Sequence, residues 1–279
     1  MNEVLTAWYR KIFARPSFYK FNLHVYKLAL RGLGVLNSEG PKATGEAWLC
    51  RKLNQKMQVR TVVDVGSNLD IFGISEFPGA DIYACEPHPE TFSKMCQKFS
   101  AKVKKGNLHL INMALSDRSG TANLWDFADD ATLKRTQPTS TLSSLQKAVI
   151  EDIHGQKAQS YKVKVTTLDT LSSSLNIQHI DILKIDTEGN ELKVLEGGRN
   201  MLRQKKVEVI QFEFNEMNVI SRTFFYDFVK LLPDYRFFRL LPSGLLPITE
   251  YRPITHEIFG FQNILCVRKE LSEKFNLEK

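Results

Sequence analysis

The chain has 279 residues, 43% hydrophobic and 25% charged, with four cysteines and a formal net charge of +7. That length holds one large α/β domain with room for a small appendage, and no window approaches the ~18 uninterrupted apolar residues of a membrane span. Cys50, Cys85, Cys96 and Cys266 form no CxxC pair, which disfavours a zinc site or a disulfide framework and suits a reducing cytoplasm.

The charge is local. Residues 1–31 carry Arg10, Lys11, Arg15, Lys20, Lys27 and Arg31 against Glu3 alone, so the remaining body is nearly balanced. A nucleic-acid binder would spread its basic stripe across the domain itself, so nucleic acid is not an expected partner. No short apolar core precedes a small-residue cleavage site, so a secretory signal is not expected either. Residues 1–34 read as one or two helices broken at Pro16, with Trp8, Phe13, Phe18, Tyr19, Phe21 and Tyr26 between the cations. Residues 1–43 are therefore an N-terminal helical extension ending in a linker, NSEGPKAT. The expectation is a cap whose aromatics pack on the main domain. The alternative is peripheral contact with an anionic membrane through residues 1–31.

Residues 44–279 read as one domain. A helix over residues 45–57 comes first, then alternating strands and helices that favour a parallel sheet. Strands are expected at 61–65, 81–85, 108–113, 180–185 and 207–214. Helices are expected at 71–77, 89–101 and 224–232, and a final antiparallel pair at 235–240 and 262–267 brings the sheet to seven strands. Residues 121–127 and 161–166 look like extra strands around a polar insert, 128–159, which is either an exposed, variable loop or an acceptor-binding lid that its Ser and Thr hydroxyls would suit.

Two strand tips carry chemistry. The first strand runs into Asp64-Val65-Gly66-Ser67-Asn68, where a glycine lets backbone approach a ligand closely. About twenty residues on, Glu86-Pro87 follows the second strand, a spacing that suits a carboxylate accepting from both hydroxyls of a ribose. A GxGxxG loop would need glycines where Asn68 and Ile71 stand, so a nucleoside without phosphates fits better than a dinucleotide. The third tip is DILKIDTEGNELKVLEGG, residues 181–198, which sets Asp186 and Glu188 at the carboxyl edge of the sheet. Lys184 alternates onto the same side as Asp186.

These pieces resemble the FkbM-type methyltransferases: DVGSN at 64–68, EPHP at 86–89, MALSD at 113–117, the long KIDTEGNE piece, and EFNE at 213–216. The resemblance spans roughly residues 44–268. It implies an α/β, Rossmann-like methyltransferase sheet with helices on both faces, S-adenosylmethionine as cofactor, and O-methylation of a sugar, glycan or small-molecule hydroxyl. Carried over, Asp64, Gly66, Ser67 and Asn68 hold the methionine part, Glu86 and Pro87 the ribose, and Ala114, Leu115 and Ser116 flank the adenine. Asp186 is the first choice for general base, Glu188 the second and Glu213 the third. No required metal is expected, and base methylation is disfavoured because no Asn/Asp-Pro-Pro-aromatic run is present.

One position departs from the family pattern. Its loop usually continues Asn-x-Gly, and here Asp70 takes the glycine's place, so a weakly active or non-catalytic binding protein is the alternative reading. A carboxylate at 70 repels the cofactor's own. Asp70→Gly is therefore expected to tighten S-adenosylmethionine binding, measured by calorimetry; unchanged or weaker binding contradicts it.

Overall fold

A computed structural model describes residues 3–40, 42–128 and 139–275. Part of the polar insert, residues 129–138, thus lies outside the described residues. Three helices open the chain: α1 (Glu3–Phe13), α2 (Tyr19–Gly32) and α3 (Glu46–Lys56). Then come β1 (Thr61–Val65), β2 (Asp81–Cys85), α4 (Pro89–Lys98), α5 (Ser100–Lys104), β3 (Leu108–Ile111), β4 (Ala114–Leu115), β5 (Gly120–Phe127) and β6 (Ala158–Thr166). The next units are α6 (Leu168–Ser174), β7 (Ile180–Ile185), α7 (Glu191–Glu196), α8 (Arg199–Arg203) and β8 (Val207–Phe214). The chain closes with α9 (Met217–Ser221), α10 (Phe225–Leu231), β9 (Tyr235–Leu241), β10 (Gly244–Ile248), α11 (Pro253–His256), β11 (Gln262–Arg268) and α12 (Lys269–Phe275).

The main sheet has the order β10-β9-β11-β8-β7-β1-β2-β3. Five strands, β3 to β8 across the sheet, run parallel, and β11 slots antiparallel between β8 and β9. All seven expected main strands are there, in the Rossmann-like arrangement. The eighth, β10, pairs with β9 as a hairpin at the sheet edge. Its Pro247 cannot donate to a ladder, and that residue belongs on an edge strand. Strand order reverses at β1, which lies between β7 and β2. The crevice beyond the carboxyl ends of these three strands is where such sheets hold ligands.

Strand alternation sorts the core into two faces. Val63, Val65, Leu183, Ile185, Ile210, Phe212 and Phe214 point to one side and meet α6, α7, α8 and α10. Phe228 stacks on Phe212 there, with ring centroids 4.2 Å apart. The other side buries Val62, Ile182, Val209, Leu265 and Val267 with α3 and α4. Asp64, Lys184, Gln211 and Glu213 alternate onto this second face too, so its carboxyl end is polar where its centre is apolar.

Two expectations need correction. Residues 71–77 form successive turns rather than a helix. Gly73 has φ +72°, a Cβ there would collide with Phe77, and the Phe72 N–H is taken by the Asp64 carboxylate instead of a helical carbonyl. The N-terminal cap does not form either: α1 buries no residue and α2 only Leu30. The hairpin is tied down by buried Leu30 and just beyond the end of α2, where Arg239 donates to the Leu33 carbonyl (3.2 Å) and Leu36 N–H to that of Phe261 (2.7 Å). The extra strands β4, β5 and β6 build a separate three-stranded sheet.

Phe228→Ala is expected to lower the unfolding free energy by about 3–5 kcal/mol, since a buried ring leaves both a transfer loss and a cavity. Denaturant titration of the two proteins checks it.

Candidate functional site

The site begins with how close β1 and β7 run at their tips. Gly66 sits at φ +84°, and a Cβ on it would overlap the Asp186 carbonyl. Asp186 N–H donates to the Val65 carbonyl (2.9 Å), continuing the ladder past the strand ends. Glycine is thus required by packing as well as by backbone angle. The loop then turns through Asn68 at φ +47°. Asp70 itself does not adopt a left-handed backbone, so the departure from the family's glycine leaves the turn intact.

Asp64 is fully buried beneath this loop. Its Oδ2 accepts from Phe72 N–H (2.9 Å), and burial pushes its carboxyl above the usual range. Glu86 ends β2 and is buried as well. One of its oxygens accepts from Asn68 N–H (3.0 Å) and the other from His88 N–H (2.8 Å), so the carboxylate ties the first two strand tips together. Burial raises it to about 7, against the pull of those two N–H groups. His88 caps α4 and packs edge-on against Tyr161, its Nε2 lying 3.4 Å from Asp126 Oδ2.

The third tip is the acid loop after β7. Glu188 and Gly189 both take positive φ, +51° and +97°. A non-glycine residue there is strained and must be held by its surroundings. Glu191 supplies much of that hold: its Oε1 accepts from Thr187 N–H, Thr187 Oγ1 and Gly189 N–H, all within 3.1 Å. From the other side the insert grips the same loop, Ser144 Oγ donating to the Glu188 carbonyl (2.7 Å) and Gln146 Nε2 to that of Gly189 (2.9 Å). Asn190 Nδ2 donates to the Leu115 carbonyl (2.9 Å) and joins the loop to β4.

Charge is unevenly matched here. Lys184 Nζ lies 3.0 Å from Asp186 Oδ2 and 3.8 Å from Glu46 Oε1. Burial alone would neutralise this lysine, but Asp186, Glu46, Asp64 and Glu213 together hold it charged well above its ordinary range. Glu188 is buried, with Oε2 lacking any hydrogen-bond partner. Burial first, and then Asp186 and Glu191, push it well above a normal carboxylate. Half-buried Glu213 is raised by burial, Asp186 and Glu188.

A cavity of about 400 Å³ joins the three tips. Gly66, Ser67, Asn68, Glu86, Pro87, Ala114, Leu115, Asp186 and Glu188 line it; Asp64, Ser116 and Glu213 do not. Sequence reasoning missed Glu46, which comes from α3, and Asn190 from the loop, and it read Lys184 only as a neighbour of Asp186. Thr141 and Ser143 of the polar insert are also among the lining residues. Glu191 was readable only as a helix-start acid, because nothing in a linear pattern reveals which amides a carboxylate will meet. Among the described residues no group of three or more His, Cys, Asp or Glu is arranged to hold a metal ion.

The model of the methyltransferase FkbM domain matches residues 64–238. Hexuronic acid methyltransferase AglP of Haloferax volcanii is 25% identical over 168 residues, 60% of this chain and 62% of that protein. Methyltransferase 1 of Beauveria bassiana is 28% identical over 143 residues, 49% of this chain and 57% of that one. The chain spans about six tenths of the length of the curated relatives it matches. A solved methyltransferase FkbM from Methylobacillus flagellatus superposes with a TM-score of 0.42 at 12% identity, over 75% of this chain and 44% of the other.

The raised carboxyls link stability to pH. Glu86, Glu188 and Glu213 bind a proton more tightly in the folded, ligand-free chain than in the unfolded one, burial being the first cause for each. Their contribution is complete below the unfolded value and lost as pH climbs through the folded one. For Glu86 that window runs from 4.5 to about 7. The thermal midpoint of the ligand-free protein is therefore expected to fall across this window, and Glu86→Gln to flatten the fall in scanning calorimetry. A midpoint that rises with pH contradicts it.

Proposed function

The chain belongs to the FkbM methyltransferase family, and on that premise we propose that it transfers a methyl group from S-adenosylmethionine to a hydroxyl of a sugar, glycan or other small molecule. The observation that carries this reading is Glu188 Oε2, a buried, unpartnered carboxylate oxygen of a residue in the same cavity as Glu86. Such an atom is costly unless a ligand completes it.

The residues fit the cofactor. Gly66 leaves the loop without a side chain. Each Glu86 oxygen already accepts one N–H and keeps a lone pair for a ribose hydroxyl. Met113, Ala114 and Leu115 give an apolar wall for an adenine. Among the described residues Lys184 is the one cation lining a cavity that also carries Glu46, Asp186 and Glu188, so positive charge is in deficit there. When bound, S-adenosylmethionine supplies an electrophilic methyl on a cationic sulfur.

In the proposed roles Gly66, Ser67 and Asn68 hold the methionine part, with Asp64 bracing their loop from beneath. Glu86 and Pro87 hold the ribose. Ala114 and Leu115 flank the adenine, and Ser116 supports them through its backbone. Glu188 takes the acceptor's proton on Oε2, its raised affinity making it the stronger base. Asp186 drops to second place because Lys184 already neutralises it, and it orients the acceptor by accepting a hydrogen bond. Glu213 stands behind these two, outside the cavity lining, and helps keep Lys184 charged. The Thr141 and Ser143 hydroxyls favour a polyhydroxylated acceptor, in keeping with a relative named for a hexuronic acid. Asp70 is exposed at the cavity's margin, where water screens it, so a non-catalytic binding protein is the weaker alternative. Unpaired cysteines suit a cytoplasmic setting.

The test is label transfer from S-adenosylmethionine to a panel of host glycans. Glu188→Gln is expected to lower turnover about 10²–10⁴-fold while cofactor affinity in calorimetry stays within a few-fold. Full turnover in that variant removes Glu188 as the base; failure of the unaltered chain to bind the cofactor removes the whole reading.

A further inference from the structure

We propose that the N-terminal hairpin, α1 with α2, is a docking surface for an anionic lipid bilayer. It is a self-contained unit. Tyr9 Oη donates to Asn22 Oδ1 (2.9 Å), Asn22 Nδ2 donates to the Phe13 carbonyl (2.9 Å), and the Phe13 ring stacks on Phe21 at 5.4 Å. These contacts hold the two helices together without covering their outer faces.

On α1, Leu5, Trp8 and Ile12 follow the i, i+3, i+7 spacing of a single face, with Leu5 66% and Trp8 64% exposed. Arg10 falls on the opposite arc and Lys11 flanks the apolar face beside Trp8. On α2, Lys20, Lys27 and Arg31 follow i, i+7, i+11 as one basic stripe, while Tyr19 and Tyr26 are exposed beside it. An apolar face with aromatics, backed by cations and low in overall hydropathy, is the composition of a helix that lies in a bilayer interface. A nearly balanced body places the excess charge in this hairpin, where an acidic leaflet attracts it.

Charge excludes the two rival occupants. A nucleic-acid backbone would engage the cations but leave Leu5, Trp8 and Ile12 in water. A second copy would bring six cations against six, with only Glu3 and the Glu39 paired to Arg31 on each side to offset them. The hairpin runs through residues 33–45 directly into α3, whose Glu46 and Ala47 line the cavity. Surface attachment would therefore present the cavity to acceptors carried on a lipid. The proposal itself stands apart from methyl transfer.

The experiment is co-sedimentation of the full chain with phosphatidylcholine vesicles, with and without phosphatidylglycerol. The full chain is expected to pellet with the anionic vesicles at least tenfold better than with neutral ones, and less well at high salt. Leu5→Glu with Trp8→Glu, both on exposed positions, is expected to lose that binding about tenfold, as is Lys20→Glu with Lys27→Glu. Equal pelleting with both vesicle types, or unchanged binding by the variants, overturns the proposal. So does a dimer in sedimentation that Leu5→Glu with Trp8→Glu dissociates, because the face then belongs to a second copy.

Discussion

Lys184 is the interaction on which the site depends. A lysine inside a central parallel strand is an expensive choice, and it remains charged only because acids from four elements converge on it: Asp64 on β1, Asp186 after β7, Glu213 on β8 and Glu46 on α3. Removing one partner from a buried group of this kind costs about 3–5 kcal/mol, because the remaining charges are left uncompensated. The lysine thus fixes where the strand tips stand relative to α3. It also leaves the acids in excess, which makes the cavity a region that favours incoming positive charge.

Preorganisation follows from how the acid loop is held. Two successive left-handed residues would not persist on their own. Glu191 satisfies three donors in that loop, Ser144 and Gln146 donate to its Glu188 and Gly189 carbonyls, and its Asn190 donates to the Leu115 carbonyl on β4. Among the described residues Glu188 Oε2 and Glu191 Oε2 are both buried here without a partner, and of the two residues Glu188 is the one that lines the cavity. Strain, support and an unmet hydrogen-bonding need coincide at one residue.

The parallel strands were legible because buried strands write themselves as apolar runs, as Ile180–Ile185 does. Gly66, Glu86, Asp186 and Glu188 were legible as residues of one crevice because they stand at the carboxyl tips of neighbouring strands, and all four line the cavity. Other features were hidden for physical reasons. The turns at residues 71–77 depend on Asp64 capturing a distant amide, which no local propensity records. Glu46 enters the cavity from a helix more than a hundred residues away in sequence. The aromatics of the N-terminal extension read as a packing face, yet the same pattern serves a face that stays in contact with solvent.

The insert clasps the acid loop by its backbone carbonyls and not by its side chains. Main-chain grips are indifferent to residue identity at the positions gripped. Thr141 and Ser143 line the cavity from the same segment, beside the Ser144 and Gln146 side chains that make the grip. One short segment thus shapes the cavity wall and supports the acid loop at once.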